Sequence, residues 1–260
     1  MNAMDFSCFA GNWPFRHIRY NTVQKLSQLH SRIGITGGYI SACEAVFYQD
    51  PYEAEKALAP QLRDTGYRQA MVLNPTLPGW QDDLPRAVRE LGIQAVRLVP
   101  GYHSYRLTDP IMDAVADALR KYRIPLILSL QLEHMWSAWM IQPRQIPLEE
   151  VQAFLEKYSD IPTMLNYALP HQVPALAEQF QKRQNLFMDT AGFRSGLFPT
   201  EDAVRITGEK VLFGTNAPPI AAQSFQVIVD KAEIPAAVRE EIYTGRQFFA
   251  AVAKWQENRR

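Results

Sequence analysis

Six short apolar stretches decide the fold of this chain, and the clearest are QAVRLV (residues 94–99), IPLILSL (residues 124–130) and NLFMD (residues 185–189). Each is rich in Val, Ile, Leu, Phe or Met along its length rather than at every second residue. Continuous apolar character is typical of parallel strands that are covered on both faces. These stretches therefore predict buried strands of a parallel sheet.

Segments of this kind recur along the whole chain, and each is followed by a longer stretch with helical spacing. The eight segments begin near Met4, Thr36, Arg68, Ile93, Ile124, Ile161, Asn185 and Lys210. Their mean separation is about 29 residues, close to the length of one strand–helix unit. We therefore predict an α/β fold, a (β/α)8 TIM barrel that comprises residues 1–260 as a single domain. An open doubly wound sheet is the alternative.

The intervening stretches predict helices at residues 21–32, 51–65, 109–122, 147–158, 173–184 and 217–231. A final segment, residues 235–256, predicts one long C-terminal helix packed on the outside of the barrel. In barrels of this type the functional residues collect at the C-terminal ends of the strands. Polar side chains at those ends are therefore the first candidates for a site.

Charge and cysteine content exclude several functions. The 260 residues include 27 Lys plus Arg and 27 Asp plus Glu, so the formal net charge is zero and no basic patch indicates nucleic-acid binding. The longest apolar runs are about half of what a bilayer crossing requires. Cys8 and Cys43 have neither zinc-knuckle spacing nor the density of a disulfide scaffold. We expect a cytoplasmic protein with a small-molecule partner; Trp80 and Trp139, on predicted loops, would allow a homodimer surface.

Three predicted strand ends carry short sequence motifs that resemble those of a known family. DFSCFAGNWPFR (residues 5–16), AVRLVPGYHSY (residues 95–105) and VLFGTNAP (residues 211–218) resemble the amidohydrolase superfamily, specifically its amidohydrolase-related group of metal-dependent hydrolases and decarboxylases. Residues 240–252 are similar to that group's closing helix. The order and spacing of these motifs fit over essentially the whole chain. The resemblance implies a TIM barrel that acts on a small compound.

The resemblance also implies a divalent metal, but the expected ligand positions hold other residues. The family's His-x-His on the first strand falls on Ser7 and Phe9, and its later histidines fall on Ser129 or Gln131 and on Asn166 or Tyr167. The Asp that ends its eighth strand falls on Asn216, and an amide cannot act as a general base. Cys8 should point away from the axis that Ser7 and Phe9 share. We therefore expect no metal and no other cofactor.

Arg97 is the strongest candidate for substrate binding. It lies in an apolar strand, where a charge is expensive unless it is paired or faces a polar cavity. Its guanidinium fork suits a carboxylate, and a structural ion pair inside the barrel is the alternative. The other predicted substrate-binding residues are Ser7, Arg16, Tyr105, Gln131, Asn166 and Asn216. Arg194, on the loop after the seventh strand segment, is a further candidate for the same anion.

Three residues are candidates for proton transfer. His134 ends the fifth strand segment, and an ordinary pKa near 6.5 suits an acid or a base; the alternative is a hydrogen bond to backbone. Asp189 ends the seventh and is predicted either to replace Asn216 as a base or to accept loop N–H groups. His103 is predicted either to donate a proton or to pack within its own loop. Glu133 is a possible orienting carboxylate or a competing base.

Two functions remain compatible with these features. The first is a metal-free, lactonase-like hydrolase, or a related lyase, that acts on a small carboxylated compound. The second is a small-molecule-binding protein without catalysis that descends from a metallohydrolase. In either case the apolar residues 135–140 are predicted to form a lid, or simply to pack on the barrel mouth.

Overall fold

The computed structural model describes residues 3–134, 140–193 and 199–257, and their strands form one eight-stranded sheet. The strands are β1 Ala3–Ala10, β2 Ile35–Ala42, β3 Gly66–Leu73, β4 Ala95–Leu98, β5 Leu126–Ser129, β6 Thr163–Asn166, β7 Leu186–Asp189 and β8 Val211–Leu212. Each strand pairs in parallel with the next, and the order in the sheet follows the order in the chain. The predicted strand segments are confirmed.

Backbone hydrogen bonds close this sheet into a barrel. The N–H of Phe6 donates to the carbonyl of Phe213 (2.8 Å), and the N–H of Phe9 donates to the carbonyl of Ala217 (2.7 Å). Both acceptors follow β8, so the chain beyond β8 lies beside β1. This contact confirms the predicted (β/α)8 barrel, because an open doubly wound sheet would leave its two edges apart.

Twelve helices of the described residues surround the barrel or connect its strands. They are α1 Val23–Ser31, α2 Pro51–Leu58, α3 Trp80–Glu90, α4 Pro100–His103, α5 Ile111–Tyr122, α6 Leu148–Lys157, α7 Gln172–Ala175, α8 Ala177–Lys182, α9 Thr200–Thr207, α10 Ala222–Lys231, α11 Ala236–Thr244 and α12 Arg246–Glu257. The helix predicted at residues 173–184 is divided into α7 and α8, and α10 begins five residues later than predicted. None of the described helices has the length and apolarity that a membrane crossing demands.

The sequence pattern does not predict α3 or α9. Pro85 lies inside α3, where it removes one backbone donor and argues locally against a helix. Trp80, Leu84 and Ala87 nevertheless share one face of α3 and are buried in the core, so tertiary packing overrides the local penalty. Trp80 is therefore a buried helix residue and not the loop residue that was predicted to allow a dimer surface, and Trp139 lies outside the described residues; a homodimer stays a prediction.

The C-terminal segment packs outside the strands, but as two helices rather than one. Gly245 separates α11 from α12 with a φ of 57°, and a Cβ at this position would overlap the Phe6 ring. Phe248 of α12 then meets the rings of Phe6 (5.9 Å between centroids), Tyr39 (6.1 Å) and Phe187 (5.4 Å). Helix α12 therefore covers the N-terminal opening of the barrel with aromatic side chains.

An apolar floor fills the lower part of the barrel interior. It consists of buried residues from successive strands: Phe6, Tyr39, Ala70, Ala95, Ile127, Met164, Phe187 and Leu212, together with Phe248 of α12. Because alternate residues of a strand share a face, the side chains two positions further along β4, β5, β6 and β7 also point into the barrel, above this floor. The fold thus directs a defined set of strand-end side chains toward one point.

Candidate functional site

Four buried polar side chains lie directly above the apolar floor. They are Arg97, Ser129, Asn166 and Asp189, from β4, β5, β6 and β7, and we call them the polar layer. Each lies two residues beyond a floor residue, so all four point toward the barrel axis. The predicted strand-end positions are thus brought together at the C-terminal end of the barrel.

Hydrogen bonds connect three members of the polar layer to Asn216, which follows β8. Ser129 Oγ donates to Asn166 Oδ1 (2.7 Å), and Asn166 Nδ2 donates to both Asp189 Oδ2 (2.7 Å) and Asn216 Oδ1 (2.8 Å). Asn216 Nδ2 donates in turn to the carbonyl of Leu132 (3.1 Å). The amides of Asn166 and Asn216 are therefore engaged with protein groups and fix the orientation of the Asp189 carboxylate.

The Asp189 carboxylate is fully buried and well supplied with donors. Its Oδ1 accepts the backbone N–H groups of Tyr167 (3.0 Å) and Ala191 (3.1 Å), in addition to the Asn166 bond at Oδ2. Burial raises the pKa of Asp189, and these donors act in the opposite direction. Asp189 thus accepts loop N–H groups, as one of its two predicted roles requires, and its role as a base stays a prediction.

Ser7 lies beside Asp189, and both side chains lie against Gly214. A Cβ on Gly214 would overlap Asp189 Oδ2 and come within 2.5 Å of Ser7 Oγ, so only glycine fits here. The Ser7 hydroxyl lowers the pKa of Asp189, yet its buried Oγ has no hydrogen bond of ordinary geometry among the described residues. Ser7 therefore retains hydrogen-bonding capacity at the axis of the barrel.

Two residues at this end of the barrel have left-handed backbone conformations. Tyr167 follows β6 with a φ of 61°, and Asn216 has a φ of 51°. Asparagine adopts this region readily, whereas tyrosine does so at a cost on the order of 1 kcal/mol. Such conformations concentrate at sites where function over-determines the backbone. The strain supports a functional role for this end of the barrel.

Arg97 is fully buried and has no ion pair or hydrogen bond with any described residue. All three guanidinium nitrogens lack a hydrogen-bond partner among the described residues, and the Phe9 ring lies 4.2 Å from the guanidinium carbon. Burial lowers the pKa of Arg97 to about 10, although the carboxylates of Asp189, Asp5 and Glu55 oppose this shift through longer-range attraction. The alternative of a structural ion pair is wrong, because no described carboxylate lies within 4.0 Å of the guanidinium.

Sequence reasoning missed Glu55, a buried carboxylate on α2. The register between β2 and β3 ends at Ile40 and Gln69, and Glu55 occupies the gap beyond. Its Oε1 accepts the N–H of Val72 (2.9 Å) and its Oε2 accepts Gln69 Nε2 (2.8 Å). Burial raises the pKa of Glu55 to about 7 despite these donors. A glutamate on a helix carries no strand-end signal, so the sequence alone could not place it here.

Arg16 and Glu133 form an ion pair across the barrel mouth. Arg16 Nη1 lies 2.6 Å from Glu133 Oε2, and Arg16 Nη2 donates to the carbonyl of Pro219 (3.0 Å). The loops that follow β1, β5 and β8 are thereby connected. Gln131 Nε2 donates to the carbonyl of Glu133 and stiffens the same loop. The substrate-binding roles of Arg16 and Gln131 remain predictions.

His103 lies in α4 and Tyr105 follows it; His103 bonds away from the polar layer, and the Tyr105 hydroxyl has no hydrogen-bond partner among the described residues. His103 Nε2 donates to the carbonyl of Val46 (3.0 Å), and burial lowers the pKa of His103 to about 4. Tyr105 is buried beside it, with ring centroids 6.3 Å apart. His134 is half-buried on the loop after β5, at the edge of the described residues. Arg194, with residues 135–139 of the predicted lid, lies outside them.

Four aromatic side chains pack edge to face over the mouth. Trp13 and Phe15 come from the loop after β1, Phe47 follows β2, and Tyr102 belongs to α4. Trp13 lies 5.1 Å from Phe47, 6.3 Å from Phe15 and 6.1 Å from Tyr102 between ring centroids. We call these four residues the aromatic cluster. The aromatic cluster thus comes from the segments that follow the C-terminal ends of β1, β2 and β4.

A cleft of about 330 Å³ opens at the rim of the barrel. Gln131 and Glu133 line it from the loop after β5, and Tyr167 and Gln172 line it from the loop and helix after β6. Since Tyr167 also donates its N–H to Asp189, the cleft reaches to the edge of the polar layer. It offers a small molecule an approach to the barrel axis.

Asp5, Cys8 and His30 form a buried group between β1 and α1 that the sequence analysis did not foresee. Their donor atoms lie within 4.8 Å of one another, with His30 Nε2 3.3 Å from Asp5 Oδ2. Cys8 donates its thiol to the carbonyl of Tyr39 (3.3 Å), and burial holds its pKa well above the ordinary value. Asp5 accepts the hydroxyl of Thr215 (2.5 Å). The Cys8 thiol is neutral, and the Asp5 carboxylate already accepts a hydrogen bond. The three residues are therefore better interpreted as a structural network that connects α1 to the barrel than as a metal site.

Comparisons with known proteins identify similar folds. No model of a protein family matches the chain, and no curated protein matches it in sequence. Among solved structures, an uncharacterised TIM-barrel protein from Bordetella bronchiseptica is 14% identical with a TM-score of 0.74, and the match covers 97% of this chain and 100% of that one. A 5-carboxyvanillate decarboxylase from Sphingomonas paucimobilis is 12% identical with a TM-score of 0.72, covering 96% and 99%.

A third similar structure is a 5-carboxyvanillate decarboxylase from Novosphingobium aromaticivorans, a variant with bound manganese and a methoxy-hydroxy-nitrobenzoic acid. It is 12% identical with a TM-score of 0.66, and the match covers 95% of this chain and 97% of that one. At these identities the comparisons show that the chain shares the TIM-barrel fold of these structures over nearly its whole length.

Proposed function

We propose that this chain binds a small carboxylated compound at the C-terminal mouth of its barrel and acts on it as an amidohydrolase-like enzyme that needs no metal. The reaction class is hydrolysis of the lactonase type or a related lyase reaction. The observation that carries the proposal is Arg97: a fully buried guanidinium whose three nitrogens have no hydrogen-bond partner among the described residues.

Burying a charged group without partners is expensive, so such a group signals an anionic ligand when it faces a site. The planar guanidinium presents parallel N–H groups that match both oxygens of one carboxylate. Phe9, stacked at 4.2 Å from the guanidinium carbon, holds the plane in one orientation. The named substrates of two similar structures are also carboxylates, which supports the same ligand chemistry here.

The metal-independent part of the proposal rests on the chemistry of the side chains present. Asp189 is the sole carboxylate of the polar layer, and its neighbours Ser129 and Asn166 are neutral. Arg97 adds a positive charge within the same layer, and that charge repels a divalent cation. These residues do not fit a manganese ion such as the Novosphingobium structure contains.

Asp189 and His134 are the proposed proton-transfer groups. A buried carboxylate with a raised pKa can take a proton from water or substrate, and the fixed donors at Asp189 keep its free edge oriented. Ser7, beside Asp189, would hydrogen-bond the reacting group. His103 is left out, because its Nε2–H is engaged with Val46 and its lowered pKa keeps it neutral at pH 7.

A binding protein without catalysis is the second candidate, and one observation favours it. The hydrogen bonds from Tyr167, Ala191 and Asn166 stabilise the Asp189 carboxylate in its charged form, which weakens it as a base. Turnover separates the two candidates. A carboxylate that stabilises the protein and remains chemically unchanged after prolonged incubation favours binding alone, whereas its conversion establishes an enzyme.

The test of the proposed function is a thermal-shift screen of small carboxylates, lactones and their amide isosteres on wild type and Arg97→Met. A ligand at about 100 times its dissociation constant stabilises by about 2.7 kcal/mol. Wild type should gain this stabilisation from at least one carboxylate, and Arg97→Met should not. Equal stabilisation of both proteins would show that Arg97 does not hold the ligand. For each hit, turnover by wild type, Asp189→Asn and His134→Ala then assigns the proton-transfer group.

A further inference from the structure

Two more buried polar atoms at the barrel mouth lack hydrogen-bond partners among the described residues. They are the indole Nε1 of Trp13 and the phenol oxygen of Tyr102, both in the aromatic cluster. Trp13 is 3% exposed, so water does not compensate its N–H. Leaving a buried donor unsatisfied costs about 1–3 kcal/mol. Two such atoms on adjacent rings therefore point to a ligand group that satisfies them.

The aromatic cluster fixes where these atoms can be. The ring centroids of Trp13 and Tyr102 are 6.1 Å apart, and Phe47 packs edge to face against both, at 5.1 Å and 5.8 Å. One end of a small molecule can thus contact both rings. The cluster belongs to the same apolar group of side chains as Phe9, whose ring supports Arg97. An apolar path therefore connects the two sets of unpartnered atoms.

The chemistry of the two atoms selects the ligand group. Indole N–H only donates, and burial raises the pKa of Tyr102, so its phenol is neutral and able to donate. The negative charge of Glu133 also raises the pKa of Tyr102, and the positive charge of Arg16 partly offsets this effect. The field of Glu133 thus reaches the Tyr102 hydroxyl. A second anion is therefore disfavoured here. An uncharged oxygen that accepts hydrogen bonds, in a carbonyl, hydroxyl or ether, fits both donors.

We propose that Trp13 and Tyr102 form a second subsite, which binds an uncharged oxygen at the end of the ligand remote from the carboxylate held by Arg97. The inference rests on the proposed function for the carboxylate end. It narrows the substrate class to monocarboxylates that carry a separate, neutral oxygen function. Dicarboxylates are poor ligands, because two neutral donors do not compensate the burial of a second charge.

Conservative variants test the subsite, since Trp13→Phe and Tyr102→Phe each remove the polar atom and keep an aromatic ring. The probes are benzoate, 4-hydroxybenzoate and terephthalate, and their dissociation constants are measured by titration calorimetry. Wild type should prefer 4-hydroxybenzoate over benzoate by about tenfold, which corresponds to 1.4 kcal/mol. Each variant should lose most of this preference while its affinity for benzoate stays within about twofold. Terephthalate should bind wild type more weakly than 4-hydroxybenzoate.

Tyr158→Phe is the matched control, because the Tyr158 hydroxyl is partnered by Asp113 (2.8 Å) and belongs to the outer face of the barrel. It should leave the preference unchanged and lower the melting temperature, whereas Tyr102→Phe should not lower it. An unchanged preference in both Trp13→Phe and Tyr102→Phe overturns the subsite and leaves Arg97 untouched. Failure of every carboxylate to bind wild type overturns the proposed function, and the subsite with it.

Discussion

Replacing Arg97 by Met should make the ligand-free protein more stable. Burial lowers the pKa of Arg97 to about 10, well below that of a solvated guanidinium, and each pKa unit corresponds to 1.36 kcal/mol, so the buried charge destabilises the fold by about 3 kcal/mol. Because the folded pKa of this base is lowered, the cost is fully present below about pH 10 and fades only as the pH rises toward the higher pKa of the unfolded chain. Loss of the cation–π contact with Phe9 removes about 0.5–2 kcal/mol of the gain.

The expected net gain is therefore about 1–3 kcal/mol at pH 7–9, since methionine fills a similar volume without charge. For a chain of this size 1 kcal/mol raises the melting temperature by about 2 °C, so calorimetry should show a rise of about 2–6 °C. Arg97→Lys keeps a buried charge and should show no such rise. A fall in melting temperature for Arg97→Met comparable to that of an ordinary core substitution would refute the reasoning, because it would mean that the guanidinium holds the fold together.

Three further predictions concern the surroundings of the site. Asn216→Asp removes the donor to the Leu132 carbonyl and brings a second carboxylate toward Asp189, so urea unfolding should show a loss of about 1–3 kcal/mol; equal stability would contradict the network. Phe248→Ala should cost about 3–5 kcal/mol by calorimetry and leave carboxylate affinity unchanged, because Phe248 packs in the floor below the polar layer. Burial raises the folded pKa of Glu55 to about 7. The free energy of unfolding falls as the pH rises wherever the folded state retains more protons than the unfolded state. Between pH 4.5 and 7, wild type should therefore lose about 3 kcal/mol of stability relative to Glu55→Gln. A pH-independent difference between these two proteins would show that Glu55 titrates normally.

The strand-end positions were predictable because parallel strands of a barrel end at one face and alternate residues share a direction. Arg97 was recognisable as a charge in an otherwise apolar strand, and Asp189 as a carboxylate that ends another. The same rule placed Asn166 at the axis. Ser7 also lies at the axis although Phe6 of the floor directly precedes it, and the register of β1 is irregular between Asp5 and Cys8. The rule could not predict that the side-chain amides of Asn166 and Asn216 hydrogen-bond to each other, because that bond depends on side-chain distances between strands.

Other features needed the three-dimensional arrangement. Trp13 and Tyr102 meet although 88 residues separate them in the sequence, and nothing local marks either as part of a pair. Glu55 reaches the barrel only because the ladder between β2 and β3 ends early, which no pattern in either strand reveals. Helix α3 was hidden by Pro85, whose local penalty is outweighed by the packing of Trp80 and Leu84.

The gap between β2 and β3 gives the barrel a built-in reporter of protonation. The amide proton of Val72, which would otherwise bond to a neighbouring strand, is held by Glu55 Oε1 at 2.9 Å. A backbone N–H that depends on a titrating side chain changes its chemical shift and its rate of exchange with solvent deuterons as that side chain gains or loses a proton. Val72 thus offers a single resonance from which the ionisation of a carboxylate inside the barrel wall can be followed by nuclear magnetic resonance, without any substitution in the protein.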